Sequence, residues 1–194
     1  MTLLIDNATV EKLLTMRDTV TCLERSYAEL AAGDAVCRPR IDVRIPTGDG
    51  ESIYQWGSME GGSAVSGYFA TRVKSDVLTE RQYGGTRTQE KHCMRPGLFC
   101  GLIFLWSTRN GEPLAIINDG ALQHMRVGAD SAIGVKLVAR DDAEVLGMLG
   151  SGGMARSHVE ALLAVRDIRR VQVYSPTRAH RERYAAEMSD RHGL

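Results

Sequence analysis

The segment with the clearest chemical potential is a glycine turn at residues 150–155, with the sequence GSGGMA. Its G-x-G-x-x-A spacing is that of a dinucleotide-binding turn, in which Gly150 permits the tight bend, Gly152 lets the backbone approach a pyrophosphate, and Ala155 permits close helix–strand packing. A helix beginning near Met154 would point free N–H groups and its dipole at that anion. We predict that NAD(P) is held by the residues of this turn, Gly150, Ser151, Gly152, Gly153, Met154 and Ala155.

The elements around this turn favour a coenzyme site over a glycine-rich turn without a ligand. An apolar strand at 145–149 precedes the turn, a helix at 154–165 follows it, and a second strand is predicted at 171–174. A further helix is expected from about Arg178. This β-α-β-α order is typical of the start of a parallel doubly wound sheet.

The end of the second strand bears on the choice between NAD and NADP. An acidic residue there would bind the ribose hydroxyls of NAD, but this sequence has Ser175 at that position. Ser175, Thr177 and Arg178 could bind a 2′-phosphate, and NADP is therefore favoured. The alternative is that Arg178 only begins a solvated basic helix.

The first 142 residues have the pattern of a mostly antiparallel α+β region. A helix is predicted from Leu13 to Leu30, ended by Gly33, and hairpins are predicted around the TGDGE turn and around Asn110-Gly111. Residues 79–97 are polar and glycine-rich and are interpreted as a long loop. A helix at 121–140 has a surface of small residues, which allows another backbone to approach closely.

The predicted fold class is therefore α/β, with an α+β substrate-binding and dimerisation domain at 1–142 and the first half of a Rossmann domain at 143–194. Only two strands follow residue 144, whereas a full doubly wound coenzyme domain has about six. We therefore expect the sequence to be an N-terminal fragment of a chain of about 300 residues or more.

Composition excludes several classes of function. Basic and acidic residues balance, 24 against 24, and no global field favours nucleic acid. No apolar run reaches the roughly 18 residues that span a bilayer, and the N-terminus lacks the pattern of a signal peptide. The four cysteines have no CxxC spacing, and the histidines show no metal-binding pattern. Free thiols in a reducing cytoplasm and no metal site are expected.

Two longer segments resemble a known family. The sequence INDGALQHMRVGADSAIGVKLVAR, followed by LGMLGSGGMARSHVEALLAVRDIRRVQVYSPT, is similar to the ornithine cyclodeaminase/mu-crystallin family, strongly over residues 97–180 and weakly over residues 1–60. The resemblance implies a substrate and dimerisation domain before a Rossmann domain, a homodimer, and NAD(P) chemistry at an amino-bearing carbon. The type reaction converts ornithine to proline and ammonia. Imine reductases, amino-acid dehydrogenases and non-catalytic NADPH-binding crystallins are the alternatives.

The same resemblance assigns roles to individual basic residues. Arg126 matches the family arginine at the start of a long helix, and Arg40 matches the first substrate arginine. The family lysine is assigned to Lys74, with Arg72 kept as a second substrate ligand, since residues i and i+2 project from one strand face. The alternatives are structural ion pairs, of Arg40 with Asp42 or Asp49 and of Lys74 with Asp76. The family's catalytic aspartate is expected beyond Leu194.

Overall fold

In the computed structural model, residues 1–83, 85–94 and 100–194 are described. The strands are β1 (Leu3–Ile5), β2 (Ala35–Cys37), β3 (Ile41–Pro46), β4 (Ser52–Ser63), β5 (Tyr68–Tyr83), β6 (Thr86–His92), β7 (Gly101–Ser107), β8 (Pro113–Asn118), β9 (Val145–Leu149) and β10 (Arg170–Tyr174). The helices are α1 (Asn7–Leu13), α2 (Met16–Ala32), α3 (Asp119–Val138), α4 (Gly153–Leu163) and α5 (Arg178–His192).

The described chain divides into two compact units, which do not coincide with the predicted domains. Unit 1 comprises residues 1–13 and 25–122, and unit 2 comprises residues 14–24 and 123–194. The predicted boundary after residue 142 therefore falls inside unit 2, because most of α3 and the first part of α2 belong to that unit. The assignment of substrate binding to 1–142 and coenzyme binding to 143–194 stays a prediction.

Unit 1 is built on an eight-stranded mixed sheet. The strand order is β1-β8-β7-β5-β4-β2, with β3 also paired to β4 and β6 also paired to β5. The predicted hairpins are confirmed. Asp49 accepts hydrogen bonds from the backbone N–H groups of Glu51 and Ser52 in the β3–β4 turn, and Gly111 takes a φ of +74° between β7 and β8. Gly111 supplies the left-handed conformation that this turn needs.

The prediction of a long loop at 79–97 is wrong for most of its length. Strand β5 continues to Tyr83, and β6 returns beside it from Thr86, with Gly85 in the connection at a φ of +82°. Many side chains of this ribbon are exposed, so the sequence carries no apolar alternation to mark the strands. Residues 95–97 of the predicted loop, and Gly84, lie outside the described residues.

Strand β1 covers the edge of the β7–β8 hairpin, because it pairs in parallel with β8, from Leu3 opposite Ala115 to Ile5 opposite Ile117. The helix predicted from Leu13 to Leu30 is confirmed as α2, which begins at Met16, and α1 before it was not predicted. Thr15 and Asp18 exchange hydrogen bonds as a cap, Asp18 N to Thr15 Oγ1 at 3.1 Å, and this cap begins α2 after α1 has ended.

Unit 2 contains the predicted β-α-β-α order, and the α/β fold class is confirmed. Strands β9 and β10 are parallel, with Val145 opposite Arg170 and Leu149 opposite Tyr174. The small-residue surface of α3 allows the close approach that was expected, because a Cβ on Gly128 would lie 2.5 Å from the carbonyl oxygen of Ser157 in α4. The core between α4, α5 and the two strands is formed by Ala155, Val159, Tyr184 and Met188.

Neither a membrane-spanning helix nor a metal-binding cluster occurs among the described residues. None of the helices in this part of the chain combines the length and hydropathy needed to cross a bilayer. Across the same residues, no group of three or more His, Cys, Asp or Glu side chains is arranged to hold a metal ion.

Candidate functional site

Lys74 lies at the centre of the sheet in unit 1, in a space made by two glycines. On β5 it stands opposite Gly57 of β4 on one side and Gly101 of β7 on the other. A Cβ on Gly57 would lie 2.7 Å from Lys74 Cε, so only glycine leaves the lysine room to lie across this strand. The Lys74 side chain is only 3% exposed. A lysine this deeply buried is rare without partners.

The partners of Lys74 are two carboxylates. Its Nζ donates to Asp76 Oδ2 at 3.0 Å and lies 3.8 Å from Asp42 Oδ1. Burial lowers the pKa of Lys74, since it disfavours the charged amine, and Asp76 partly opposes that change. The predicted pairing of Lys74 with Asp76 is present, but both groups are buried rather than at the surface.

Arg72 projects from the same face of β5, as the i, i+2 spacing predicted. Its Nε donates to Asp119 Oδ2 at 2.7 Å, and its Nη1 lies 3.8 Å from the sulfur of Met59. Asp119 is the first residue of α3 and is 2% exposed. Among the described residues, no donor reaches Asp119 Oδ1, which is also buried. This carboxylate therefore holds Arg72 and retains one unused acceptor.

Lys74 and Asp119 border a cavity of about 410 Å³ within unit 1. A buried amine, a carboxylate, two carboxamides and an indole ring contribute to its wall. This combination suits a small molecule that carries both a carboxylate and a nitrogen, because charged and polar groups of both signs converge on an otherwise apolar space. The polar and aromatic residues of the wall are Asn7, Trp56, Lys74, Ser75, Asn118 and Asp119.

Arg40 lies beside the Lys74 cluster but outside the wall of the cavity. Its Nε donates to Asp42 Oδ1 at 2.8 Å, and its side chain is 40% exposed. Gln55 donates to the same oxygen at 2.9 Å, so Asp42 joins Arg40 to Lys74. The pairing of Arg40 with Asp42, which the sequence left open, is present.

Arg126 belongs to unit 2 and lies in α3. Its Nη1 lies 2.5 Å from Oδ2 of Asp130, one turn further along the helix, and its side chain is 42% exposed. An i, i+4 pair of this kind contributes about 0.3–0.5 kcal/mol at an exposed site. A guanidinium held so weakly is available to bind an anion.

The glycine turn of unit 2 has the geometry that the sequence predicted. Gly150 takes a φ of +106°, in the region that favours glycine, and its N–H donates to the carbonyl oxygen of Tyr174 at 2.7 Å. Cβ atoms on Gly150 or Gly152 would meet nothing within 4 Å. Nη1 of Arg156 donates to the carbonyl oxygen of Gly152 at 3.0 Å, and this bond stabilises the turn.

The N-terminus of α4 is open to an anion. The helix begins at Gly153, next to the predicted start near Met154, with Gly152 as an extended N-cap that has no side-chain capping bond. Its first N–H groups therefore keep their capacity to bind a charged ligand. The free space over Gly150 and Gly152 lies at the same turn, so the residues present fit a pyrophosphate.

The residues expected to distinguish NAD from NADP differ in their exposure to solvent. Ser175 is 5% exposed, and its hydroxyl accepts a bond from Ser151 Oγ at 3.0 Å, which ties the glycine turn to the end of β10. Thr177 caps α5, and Arg178 is exposed beside Glu182. Arg181 also reaches this point, because its Nη1 donates to the Ser175 carbonyl oxygen at 2.9 Å.

Two residues of the site, Lys91 and Asp119, were missed by sequence reasoning. Asp76 was named only as an ion-pair partner of Lys74, and its i+2 position places it on the same strand face. Lys91, whose Nζ lies 3.0 Å from Asp76 Oδ2, was missed because residues 79–97 were predicted to form a loop and not a strand. Asp119 carried no local signal, since its partner Arg72 is 47 positions away.

Comparisons with known proteins identify the family and the fold of this chain. A model of the ornithine cyclodeaminase/mu-crystallin family matches residues 70–193. The NAD(P)H-dependent anabolic L-arginine dehydrogenase of Pseudomonas aeruginosa is 27% identical over 175 residues, which are 90% of this chain and 50% of that protein. The Δ1-pyrroline-2-carboxylate reductase of Thermococcus litoralis, in complex with NADH and L-proline, is similar with a TM-score of 0.78 and 26% identity, over 99% of this chain and 55% of that one.

An archaeal alanine dehydrogenase dimer with bound NAD shares the fold, with a TM-score of 0.78 and 24% identity over 98% of this chain and 54% of that chain. The chain thus spans about half the length of each of these three proteins.

Proposed function

Because the chain belongs to the ornithine cyclodeaminase/mu-crystallin family, we propose that it serves an NAD(P)-dependent oxidation or reduction at the carbon–nitrogen bond of a small amino or imino acid. The observation that carries this proposal is the β9–α4–β10 unit. Its glycine turn combines a left-handed Gly150, open space over Gly152 and an uncapped helix N-terminus. When bound, the nicotinamide coenzyme supplies the hydride acceptor or donor.

The coenzyme would be held at its pyrophosphate by the turn from Gly150 to Ala155. The free N–H groups at the start of α4 face the anion, and the Ser151–Ser175 bond fixes the turn. NADP is proposed as the preferred form, with Thr177 and Arg178 at the 2′-phosphate. Ser175 would act through Ser151 rather than on the ribose, since it is buried.

The substrate would be held by its carboxylate and its nitrogen. A planar carboxylate suits a guanidinium, and we propose that Arg72, Arg40 and Arg126 are the substrate-binding arginines. Lys74 would be the catalytic group, because it is the amine buried in the wall of the cavity. A neutral amine at Nζ can accept a proton from the substrate nitrogen, and the protonated amine can return it.

We propose net imine reduction or amino-acid dehydrogenation ahead of cyclodeamination. The similar proteins from Pseudomonas and Thermococcus are a dehydrogenase and a reductase by name. Ornithine cyclodeamination remains the second candidate because the family description includes it.

One assay separates these reactions. The protein is incubated with basic and apolar L-amino acids and their cyclic imines, together with NAD(P) or NAD(P)H. The absorbance of reduced nicotinamide and the release of ammonia are both followed. Stoichiometric gain or loss of NAD(P)H supports the proposal, whereas ammonia and proline from ornithine without net change of NAD(P)H would replace it with cyclodeamination. Tight NADPH binding with no turnover on any substrate would instead indicate a non-catalytic, crystallin-like binding protein.

A homodimer in the cytoplasm completes the proposal. The archaeal alanine dehydrogenase of the same fold is described as a dimer. None of the four cysteines, all within the described residues, forms a disulfide, which agrees with a reducing compartment. Light scattering of the purified protein tests the dimer, and a monomer at micromolar concentration would contradict it.

A further inference from the structure

Lys74 shares its carboxylate with a second lysine. Lys91 Nζ and Lys74 Nζ each lie 3.0 Å from the same atom, Oδ2 of Asp76. The two amines can therefore be no further apart than twice that distance. Asp76 is 3% exposed, whereas the Lys91 side chain is 32% exposed, so the pair reaches from the buried cavity wall towards solvent.

The sheet itself brings these three groups together. Lys74 and Asp76 are alternate residues of β5 and lie on one face. Strand β6 runs antiparallel beside β5 with Lys91 opposite Leu78, the next residue on that face, which places the Lys91 side chain diagonally across from Asp76. The arrangement therefore depends on backbone register and not on a flexible loop.

The charges in this cluster do not balance. The hydrogen-bonded and ion-paired set contains Arg40, Lys74 and Lys91 but only the carboxylates of Asp42 and Asp76. If every group were ionised, one positive charge would be in excess. Arginine keeps its proton in proteins, and Lys91 is partly solvated, so the excess is relieved most easily at Lys74.

The groups that face Lys74 come from several elements. They are Asp42 from β3, Arg72 and Asp76 from β5, Lys91 from β6, Cys100 beside β7, and Asp119 from the start of α3. Asp119 is already paired with Arg72, and Lys91 is the nearby cation that shares Asp76 with Lys74.

We propose that Asp76 and Lys91 are positioning residues for Lys74, in which the shared carboxylate fixes the Lys74 amine and the positive charge of Lys91 favours the neutral form of that amine. The catalytic meaning of this inference rests on the proposed function, whereas the cluster itself does not. A neutral Lys74 transfers protons, and the binding of the substrate carboxylate then belongs to the arginines. The pKa of Lys74 agrees, since burial lowers it first and Lys91 lowers it further against the opposing effect of Asp76.

The chain is well suited to a direct test because it contains only four lysines, Lys12, Lys74, Lys91 and Lys136. The protein is labelled with carbon-13 lysine, and the Cε resonances are followed by NMR from pH 6 to pH 12. The Lys74→Met variant assigns the Lys74 resonance. We expect Lys74 to lose its proton at a lower pH than the other three.

The decisive variant is Lys91→Met, at a partly exposed position that should tolerate it. Loss of the neighbouring charge should raise the titration midpoint of Lys74 by about one pH unit. Lys91→Arg keeps the charge and should leave the midpoint near that of the wild type. Lys136→Met, which removes the ion pair with Glu24 in unit 2, is the matched control and should leave it unchanged.

The outcomes separate this inference from the proposed function. A Lys74 midpoint that does not move in Lys91→Met, or that coincides with the exposed lysines in the wild type, overturns the inference even if the protein turns over its substrates. A midpoint that moves as expected, in a protein with no turnover, upholds the cluster and rejects the proposed function. With turnover, the pH at which kcat/KM changes should rise by the same amount in Lys91→Met, while the KM for coenzyme stays constant.

Discussion

Arg72 and Asp119 form a buried ion pair that joins the centre of the sheet to the first residue of α3. Arg72 Nε lies 2.7 Å from Asp119 Oδ2, and the two side chains are 17% and 3% exposed. The carboxylate also stands where the helix dipole favours a negative charge. This pair thus fixes the first residue of α3 to the strand that carries Lys74.

Replacement of Asp119 by Asn should therefore destabilise the protein. It removes a buried counter-charge of the Arg72 guanidinium and the favourable charge at the helix N-terminus. We expect a loss of about 2–4 kcal/mol in the free energy of unfolding, measured by urea denaturation. Asp142→Asn is the matched control, because its pair with Arg140 is about four-fifths exposed on both sides, and it should change stability by less than about 1 kcal/mol. Equal losses in the two variants would contradict this role.

The contact of α3 with α4 gives a prediction with an internal control. Gly128→Ala would place a Cβ 2.5 Å from the Ser157 carbonyl oxygen, and we expect a loss of about 1–3 kcal/mol as the helices move apart. Gly134→Ala lies on the same helix with nothing within 4 Å, and it should stabilise the protein by up to about 1 kcal/mol through helix propensity. Thermal unfolding of both variants measures the difference, and a harmless Gly128→Ala would argue against the close approach.

Features set by residues close together in the sequence could be predicted, whereas contacts between distant residues could not. The glycine turn and its flanking strands were predictable because Gly150, Gly152 and the apolar strand residues are neighbours in sequence. The shared face of Arg72 and Lys74 followed from strand periodicity. The carboxylates could not be predicted as readily, since Asp42 and Asp119 reach β5 only through strand pairing and chain folding. Lys91 was not identified because the solvent-exposed β5–β6 ribbon has no apolar alternation to mark its strands.

The glycine turn predicts how coenzyme affinity should respond to one methyl group. Gly152 has an ordinary φ of −79° and nothing within 4 Å of a Cβ, so Gly152→Ala should fold normally. The methyl group would occupy the space proposed for the pyrophosphate, and NADPH affinity should fall by about tenfold or more. Fluorescence titration with NADPH measures this affinity. Gly48→Ala, in a loop of unit 1 with equal free space, should bind as the wild type. Unchanged NADPH affinity in Gly152→Ala would contradict the proposal that the coenzyme binds at this turn.

Arg178 predicts a selective effect on NADP. Its side chain is 80% exposed and pairs with Glu182, one helical turn away. Arg178→Ala should weaken NADPH binding by about three- to tenfold through loss of a charge-assisted bond, and should leave NADH binding within about twofold. Arg169→Ala, another exposed arginine of unit 2, is the control for net charge. If both coenzymes weaken equally, Arg178 does not read the 2′-phosphate.

Cys93 provides a pH prediction close to the cavity. Burial, and then the neighbouring thiol of Cys100, raise the pKa of Cys93 to about 11. A raised pKa keeps the thiol protonated, so at pH 8 only about one molecule in a thousand carries the reactive thiolate. Alkylation of Cys93 by iodoacetamide should be slow at pH 8 and should accelerate about tenfold per pH unit up to pH 10.

Replacement of Cys100 tests the cause of this shift. Cys100→Ala removes the second contribution, so the pKa of Cys93 should fall and its alkylation at pH 8 should become faster, as peptide mass spectrometry will show. The exposed Cys22 and Cys37 serve as internal references in the same sample. Cys100 lines the cavity. In the unmodified protein, a ligand bound in the cavity should therefore slow the alkylation of Cys100 relative to that of Cys37. Cys93 that reacts as fast as Cys37 at pH 8 in the unmodified protein would contradict the protonated, partly buried thiol.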